Sequence, residues 1–230
     1  MLLLFSSLAS FSLGTRILHK ADIGKLPEAT KFAFIEPSSD STGFQYVALI
    51  EGNDLIRKSN IENLYFEIRK RANKLGANCF RLKSFTPDNG NGEVILILET
   101  FYATDSVLQI NKYNHEKNVV FIFGDEKEEG KPFSFTINKE LKEIKSGRFY
   151  KIELTESDEF FINKGGVTGT TLYLKFEEAN QPMFYTLSGF GASYQQFMQS
   201  SGIAFKTGGI NRIENVSLGL LITQILKQTE

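Results

Sequence analysis

Residues 71–85 read RANKLGANCFRLKSF, and within them the hydrophobic period changes from helical to alternating. Upstream, Ile61, Leu64, Tyr65, Ile68, Ala72 and Leu75 recur at spacings of three and four, which is one apolar face of an amphipathic helix. Ser59 and Glu62 have the spacing of a capping box, in which the serine oxygen accepts from a backbone amide and the carboxylate reaches back to the cap amide. Gly76 stands where a left-handed residue closes a helix, so a helix is expected over residues 60–75. Past it, Phe80 and Leu82 alternate with Arg81 and Lys83, as in a half-buried strand. The turn-forming PDNGNG (87–92) and the long apolar run EVILILETFYA (93–103) then predict a second strand in a central place. Before the helix, KFAFIE (31–36) and FQYVALIEG (44–52) flank the turn-rich PSSDSTG, which predicts a β-hairpin. The order is β-β-α-β-β, a helix packed on one face of a small antiparallel sheet.

A chain of 230 residues has room for two ordinary domains. With 41% hydrophobic and 23% charged residues it carries enough apolar mass for packed cores and is not disordered in bulk. Its aromatics, 21 Phe and 8 Tyr without Trp, fall mostly in short alternating runs, which favours sheet. A net charge of -1 without a basic block removes the electrostatic footprint of a nucleic-acid binder, so nucleic acid is excluded as a main partner. The single cysteine leaves no intrachain disulfide.

MLLLFSSLASFSLGTR opens the chain with about a dozen apolar residues before Arg16. That length suits the h-region of a signal peptide, expected over residues 1–14, and is too short to cross a bilayer. No basic residue precedes it, so a later start codon than the true one, or a buried strand or helix, are the alternatives. No cysteine lies near it for lipid attachment.

The small α/β domain is expected over 15–104. Residues 105–118 lose periodicity and gain polar residues, and are read as a linker. From 119 to 230 short strands recur: VVFIF, FSFTI, FYKIEL, EFFI, TLYLKF and MFYTL, separated by GDEKEEGKP, KSGR and NKGGVTG. Regular turns between short strands predict an antiparallel β-sandwich or small barrel, and NVSLGLLITQILKQTE predicts a C-terminal helix. The fold class is therefore α+β.

At NLYFEIRKRANKLGANCFRL the chain resembles the small bacterial α/β domain of the YbjQ type, labelled heavy-metal-binding and similar to the sensor lipoprotein of the Rcs envelope-stress pathway. In those proteins a helix ends in a motif close to L-G-A-N-A and leads into a strand. Here the motif is Leu75, Gly76, Ala77, Asn78 and Cys79, within a resemblance covering residues 30–103. The second half resembles a family of bacterial envelope β-sandwich domains over residues 118–190, carried by VVFIFGDEK, FTINKELKEIKSGRFYKIEL and TLYLKFEEANQPMFYTL. That family has a pattern I-N-G-x-x-x-G-x-L-x-x-G-x-Y, and here Lys139 stands in place of the glycine after Ile137 and Asn138. The resemblances imply the bacterial envelope and bring no catalytic residues.

Nucleophilic catalysis needs Cys79 or a serine beside a histidine, but His19 and His115 lie in no motif with an orienting carboxylate, and G-x-S-x-G is absent. Cys79 stands at the C-terminal end of a helix, where the dipole disfavours a thiolate, and a small buried hydrophobe is the plainer reading. One Cys and two His, remote in sequence, make a soft-metal site improbable. Asp88, Asn89 and Asn91, or Asp125 and Glu126, offer oxygen ligands without EF-hand spacing. KGGVTGTT (164–171) lacks the G-K-[ST] ending of a phosphate loop. Glu153, Glu156, Asp158 and Glu159 could pair as acid and base only if they shared a cleft. No catalytic residue, metal site or cofactor is therefore assigned.

The aromatic, glycine-rich and weakly charged stretch from Phe184 to Phe205 has the composition of a recognition surface, with Phe184, Tyr185, Phe190, Tyr194, Phe197 and Phe205 as candidate contacts. The sequence thus leads to an exported, non-enzymatic protein of the periplasm or outer membrane, which binds a protein partner and associates peripherally with a membrane complex. The alternatives are a carboxylate-dependent hydrolase of envelope or secreted polymers, and a metal-handling protein.

Overall fold

The computed structural model describes residues 13–54, 61–87, 93–124, 132–157, 159–165, 169–197 and 200–229, with backbone alone over the strand positions between 188 and 208. The chain divides into two compact units, one of residues 1–33 and 42–103 and the other of residues 34–41 and 104–230. The α+β class holds in both, and a helix stands near the C-terminus.

In the first unit β1 (Gly14–Lys20), β2 (Ala33–Phe34), β3 (Gln45–Asp54), β4 (Cys79–Thr86) and β5 (Val94–Tyr102) form one sheet in the order β1-β3-β5-β4-β2. The apolar run 94–102 takes the central place because it has strands on both sides, with β3 and β4 antiparallel to it. Helix α1 (Ile61–Lys74) buries Ile61, Leu64, Tyr65, Ile68 and Ala72. It approaches the sheet closely at Gly52, where a Cβ would stand 3.0 Å from Ile68 Cδ1. The expected hairpin of 31–36 with 44–52 does not form. β3 instead pairs with β1, and β2 lies at the far edge beside β4. The strand at 14–20 was hidden by its mostly polar sequence and by the apolar segment before it, and residues 1–12 lie outside the described residues.

The elbow at 75–79 is built from both ends. Gly76 has φ +88, and a Cβ there would fall 2.3 Å from Leu26 Cβ and 2.8 Å from the Pro27 carbonyl, so glycine is required by conformation and by space. Asn78 makes a two-point clamp on a distant residue: its Nδ2 donates to the Ala103 carbonyl at 2.7 Å, and Ala103 N donates to its Oδ1 at 2.9 Å.

The second unit begins where a linker was expected. Residues 105–113 are helix α2 (Asp105–Tyr113), and its inward side carries only Leu108 and Asn111, too little apolar surface to show as a periodic stripe. A polar residue does the anchoring. Asn111 Nδ2 donates to the Phe34 carbonyl at 2.7 Å, and its Oδ1 accepts from Glu36 N at 3.0 Å and Ser39 Oγ at 2.9 Å, which fastens residues 34–41 to α2.

Two sheets follow. β7 (Phe133–Ile137), β8 (Glu140–Ile144), β10 (Glu159–Lys164) and β11 (Thr170–Lys175) form a four-stranded antiparallel sheet in the order β11-β10-β7-β8. β6 (Val119–Phe123), β9 (Arg148–Glu153), β12 (Met183–Phe197), β13 (Ser200–Arg212) and β14 (Lys227–Gln228) form a five-stranded sheet in the order β13-β12-β6-β9-β14. Within it β12 runs parallel to β6 and β14 parallel to β9, and the other pairs are antiparallel. Val120, Ile122, Ile152, Tyr185 and Leu187 from this sheet meet Phe135, Ile137, Ile144, Ile162 and Leu174 from the other in a common apolar core. The opposite side of the five-stranded sheet carries Phe121, Phe123, Phe149 and Phe184, on which helix α3 (Val216–Ile225) lies through Gly219.

Candidate functional site

Cys79 is fully buried and its Sγ donates to the Phe101 carbonyl at 3.5 Å. Burial pushes the thiol up to about 12, against a smaller downward pull from Arg81, so almost no thiolate exists near neutrality. It works as a packing residue.

The carboxylates of 153–159 are not gathered. Glu153, at the end of β9, pairs with Lys151 at 3.1 Å, and Glu159, at the start of β10 in the other sheet, pairs with Lys175. Glu156 is exposed, and Asp158 lies outside the described residues. Lys164 of the glycine-rich loop is occupied, donating to the Ser134 carbonyl at 2.6 Å with its ammonium over the Phe133 ring. The oxygen-ligand candidates Asp88, Asn89, Asn91, Asp125 and Glu126 lie outside the described residues, and among the described residues no three His, Cys, Asp or Glu side chains stand close enough to hold a metal ion. His19 rests on Tyr46, with Nδ1 3.2 Å from the phenol oxygen.

His115 was read as a linker residue, yet it is buried beside the Asn111 anchor. Its Nε2 lies 3.7 Å from Glu36 Oε1, beyond hydrogen-bond length. Burial pulls its pKa down to about 4, helped by Lys117 and Lys112, while the Phe34 backbone exerts a small upward pull. Burial and then the Glu116 charge raise Glu36. Burial thus shifts both groups towards their neutral forms.

Of the proposed recognition residues, Phe184 and Tyr185 are core residues with 1% and 5% of their surface exposed, one under α3 and the other between the sheets. They present no free surface, because α3 covers one face of this strand and the four-stranded sheet covers the other. The side chains of Phe190, Tyr194, Phe197 and Phe205 lie outside the described residues, but their backbone is clear. β12 pairs with β6 only over Met183–Thr186, and with β13 along Tyr185–Phe197. β13 is the edge of the sheet. From Leu187 onward the two strands form a ribbon, and no further described strand runs along either of its outer edges.

Sequence reasoning passed over one exposed set. Phe161 and Tyr173 are paired across β10 and β11, with ring centroids 5.2 Å apart and perpendicular planes, and 40% and 67% of their surface is exposed. The signal was present in phase: Ile162 and Leu174 are the buried members of these strands, so their neighbours point outward.

No family model, curated protein or solved structure matches this chain.

Proposed function

We propose that this chain is an exported protein of the bacterial cell envelope, in the periplasm or associated with the outer membrane, which binds a protein partner as an accessory or sensor-like component and does no chemistry of its own. What carries the reading is the β12–β13 ribbon. A two-stranded ribbon leaving a sandwich offers backbone donors and acceptors along its edges, and an incoming strand can be recognised by main-chain pairing, with side-chain positions at every second residue supplying specificity. The ribbon holds only one charge, Lys206, between Ser188 and Thr207, so association there costs little charge desolvation.

The resemblance of residues 30–103 to the YbjQ-type domain supports an envelope location. Peripheral association with a membrane complex belongs to the same proposal.

The test is affinity purification from the native envelope fraction, using the full chain beside a variant in which residues 189–208 are replaced by Asn-Gly. A partner held by the full chain and lost from the shortened one is expected. The proposal fails if no partner is held, if the shortened chain holds it equally, or if the protein fractionates with the cytosol.

A further inference from the structure

The outer side of the four-stranded sheet has a chemistry unlike the rest of the surface. Seven large apolar side chains are exposed among the described residues, and three of them, Leu141, Phe161 and Tyr173, stand on this sheet. Tyr173 is 67% and Leu141 74% exposed, although neither is needed to cover the core beneath.

Between them runs a polar row. Cross-strand register aligns Leu141 with Thr136, Thr136 with Asn163, and Asn163 with Thr171. Asn163 Nδ2 donates to Thr171 Oγ1 at 2.8 Å, so the amide is oriented along the sheet. At two strand spacings of about 4.8 Å, the polar row from Thr136 to Thr171 is roughly 10 Å long. The aromatic pair lies two residues along β10 and β11 from it, and the Phe161 amide is fixed by donating to Asn138 Oδ1 at 2.9 Å. The rings and the row therefore stand on paired strands, a rigid platform.

The charges on this face balance. Lys175 pairs with Glu159, and the exposed Glu143 of β8, opposite Ser134, is matched in sign by the exposed Lys139 of the β7–β8 turn. A face of rings, hydroxyls and amide, without net charge, matches a ligand that is uncharged, rich in hydroxyl groups and apolar on one flank. Pyranose rings have that character: their C–H face stacks on aromatic rings while their hydroxyls bond amides and alcohols.

We infer that the outer face of this sheet, with Tyr173 as the stacking ring, Phe161 standing edge-on beside it, and Thr136, Asn163 and Thr171 as the polar row, is a binding site for a neutral polysaccharide. The inference does not rest on the protein-partner proposal, and the two are tested with different probes.

The probe is affinity electrophoresis of the full chain in native gels containing dextran, laminarin or xyloglucan, with carboxymethylcellulose and heparin as charged controls. Retardation by at least one neutral polymer is expected, with weaker or no retardation by the charged ones. Tyr173→Ala should weaken it tenfold or more with an unchanged thermal midpoint, because the ring is exposed. Thr171→Val, which keeps shape and removes the hydroxyl, should weaken it several-fold. Absence of retardation across the neutral panel, equal retardation by the charged polymers, or full retention in Tyr173→Ala would each overturn the inference. So would the finding that Tyr173→Ala abolishes capture of a protein partner instead.

Discussion

Gly219 of helix α3 sits so close to Phe184 of strand β12 that a Cβ on the glycine would lie 2.3 Å from the ring's Cγ. The ring cannot retreat easily. It is 1% exposed and stacks on Phe121 and Phe123 at centroid distances of 5.2 and 6.1 Å. A glycine inside a helix costs about 1 kcal/mol relative to alanine, and here close packing more than offsets that cost.

Gly219→Ala decides which effect wins. Helix propensity alone predicts a gain of about 1 kcal/mol, whereas overpacking a tight site costs about 1–3 kcal/mol. A clash with a ring held between other rings belongs at the upper end, so the urea midpoint is expected to fall by an amount worth about 1–2 kcal/mol. Gly219→Ala combined with Phe184→Leu should lose less than the two single changes summed, because the smaller side chain relieves the contact. An unchanged or raised midpoint in Gly219→Ala would mean that α3 is not seated on this ring.

A second change should stabilise. The loop joining β7 to β8 is Asn138–Lys139, with φ of +50 and +71, the positive pair of a type I′ hairpin turn. Asparagine tolerates that region, but an ordinary side chain in it costs about 1–2 kcal/mol. Lys139→Gly removes the strain and adds unfolded-state entropy, a penalty of about 0.5–1 kcal/mol. A net gain of about 0.5 kcal/mol is expected in urea unfolding. A loss would show that the lysine's own contacts outweigh the strain.

How far the sequence carried can be judged from these elements. Helix α1, the elbow and the central strand are legible because local period and the glycine turn agree with the fold, whereas the capping residue Ser59 lies outside the described residues. Helix α2 is not legible, since Asn111 anchors it by hydrogen bonds and polar anchoring leaves no hydrophobic period. The neighbouring runs at 31–36 and 44–52 suggest a hairpin by proximity alone, but β1 supplies the edge that pairs with β3. Phe184 looked like a recognition residue because aromatic composition does not say which side of a sheet is covered, and α3 covers it from 35 residues downstream. The exposed pair Phe161 and Tyr173 was within reach, since alternation with Ile162 and Leu174 assigns it outward.

Cys79 should be silent in the native protein. With the thiol buried and pushed up to about 12, a disulfide-exchange reagent at pH 7.5 should label it only as fast as the first unit opens, and at once in denaturant. Cys79→Ala should leave the metal content of the purified protein unchanged and lower stability by about 1 kcal/mol through the small volume lost. Rapid labelling without denaturant would show that this strand opens readily, and a loss of bound metal would restore the metal-handling reading.

Acid should loosen the attachment of residues 34–41 to α2. His115 is pulled down to about 4 in the folded chain from an ordinary 6.5, so between those values the unfolded state holds more protons than the folded one. Stability from this group is therefore complete above pH 6.5 and lost as pH falls towards 4, to a total of roughly 3 kcal/mol at 1.36 kcal/mol per pH unit. Glu36 acts in the opposite direction, because its raised pKa makes the folded state hold a proton the unfolded chain has released, which favours folding as pH falls. Lys112, Lys117 and Glu116 complete the charged surroundings. The histidine shift is the larger of the two, so urea unfolding of the full chain should show a net decline in stability from pH 7 to pH 4.5. In His115→Leu that decline should shrink markedly or reverse, as the Glu36 contribution is left without its counterweight. A wild-type profile that is flat over this range, or one that His115→Leu leaves unaltered, would show that His115 is not held neutral beside Glu36.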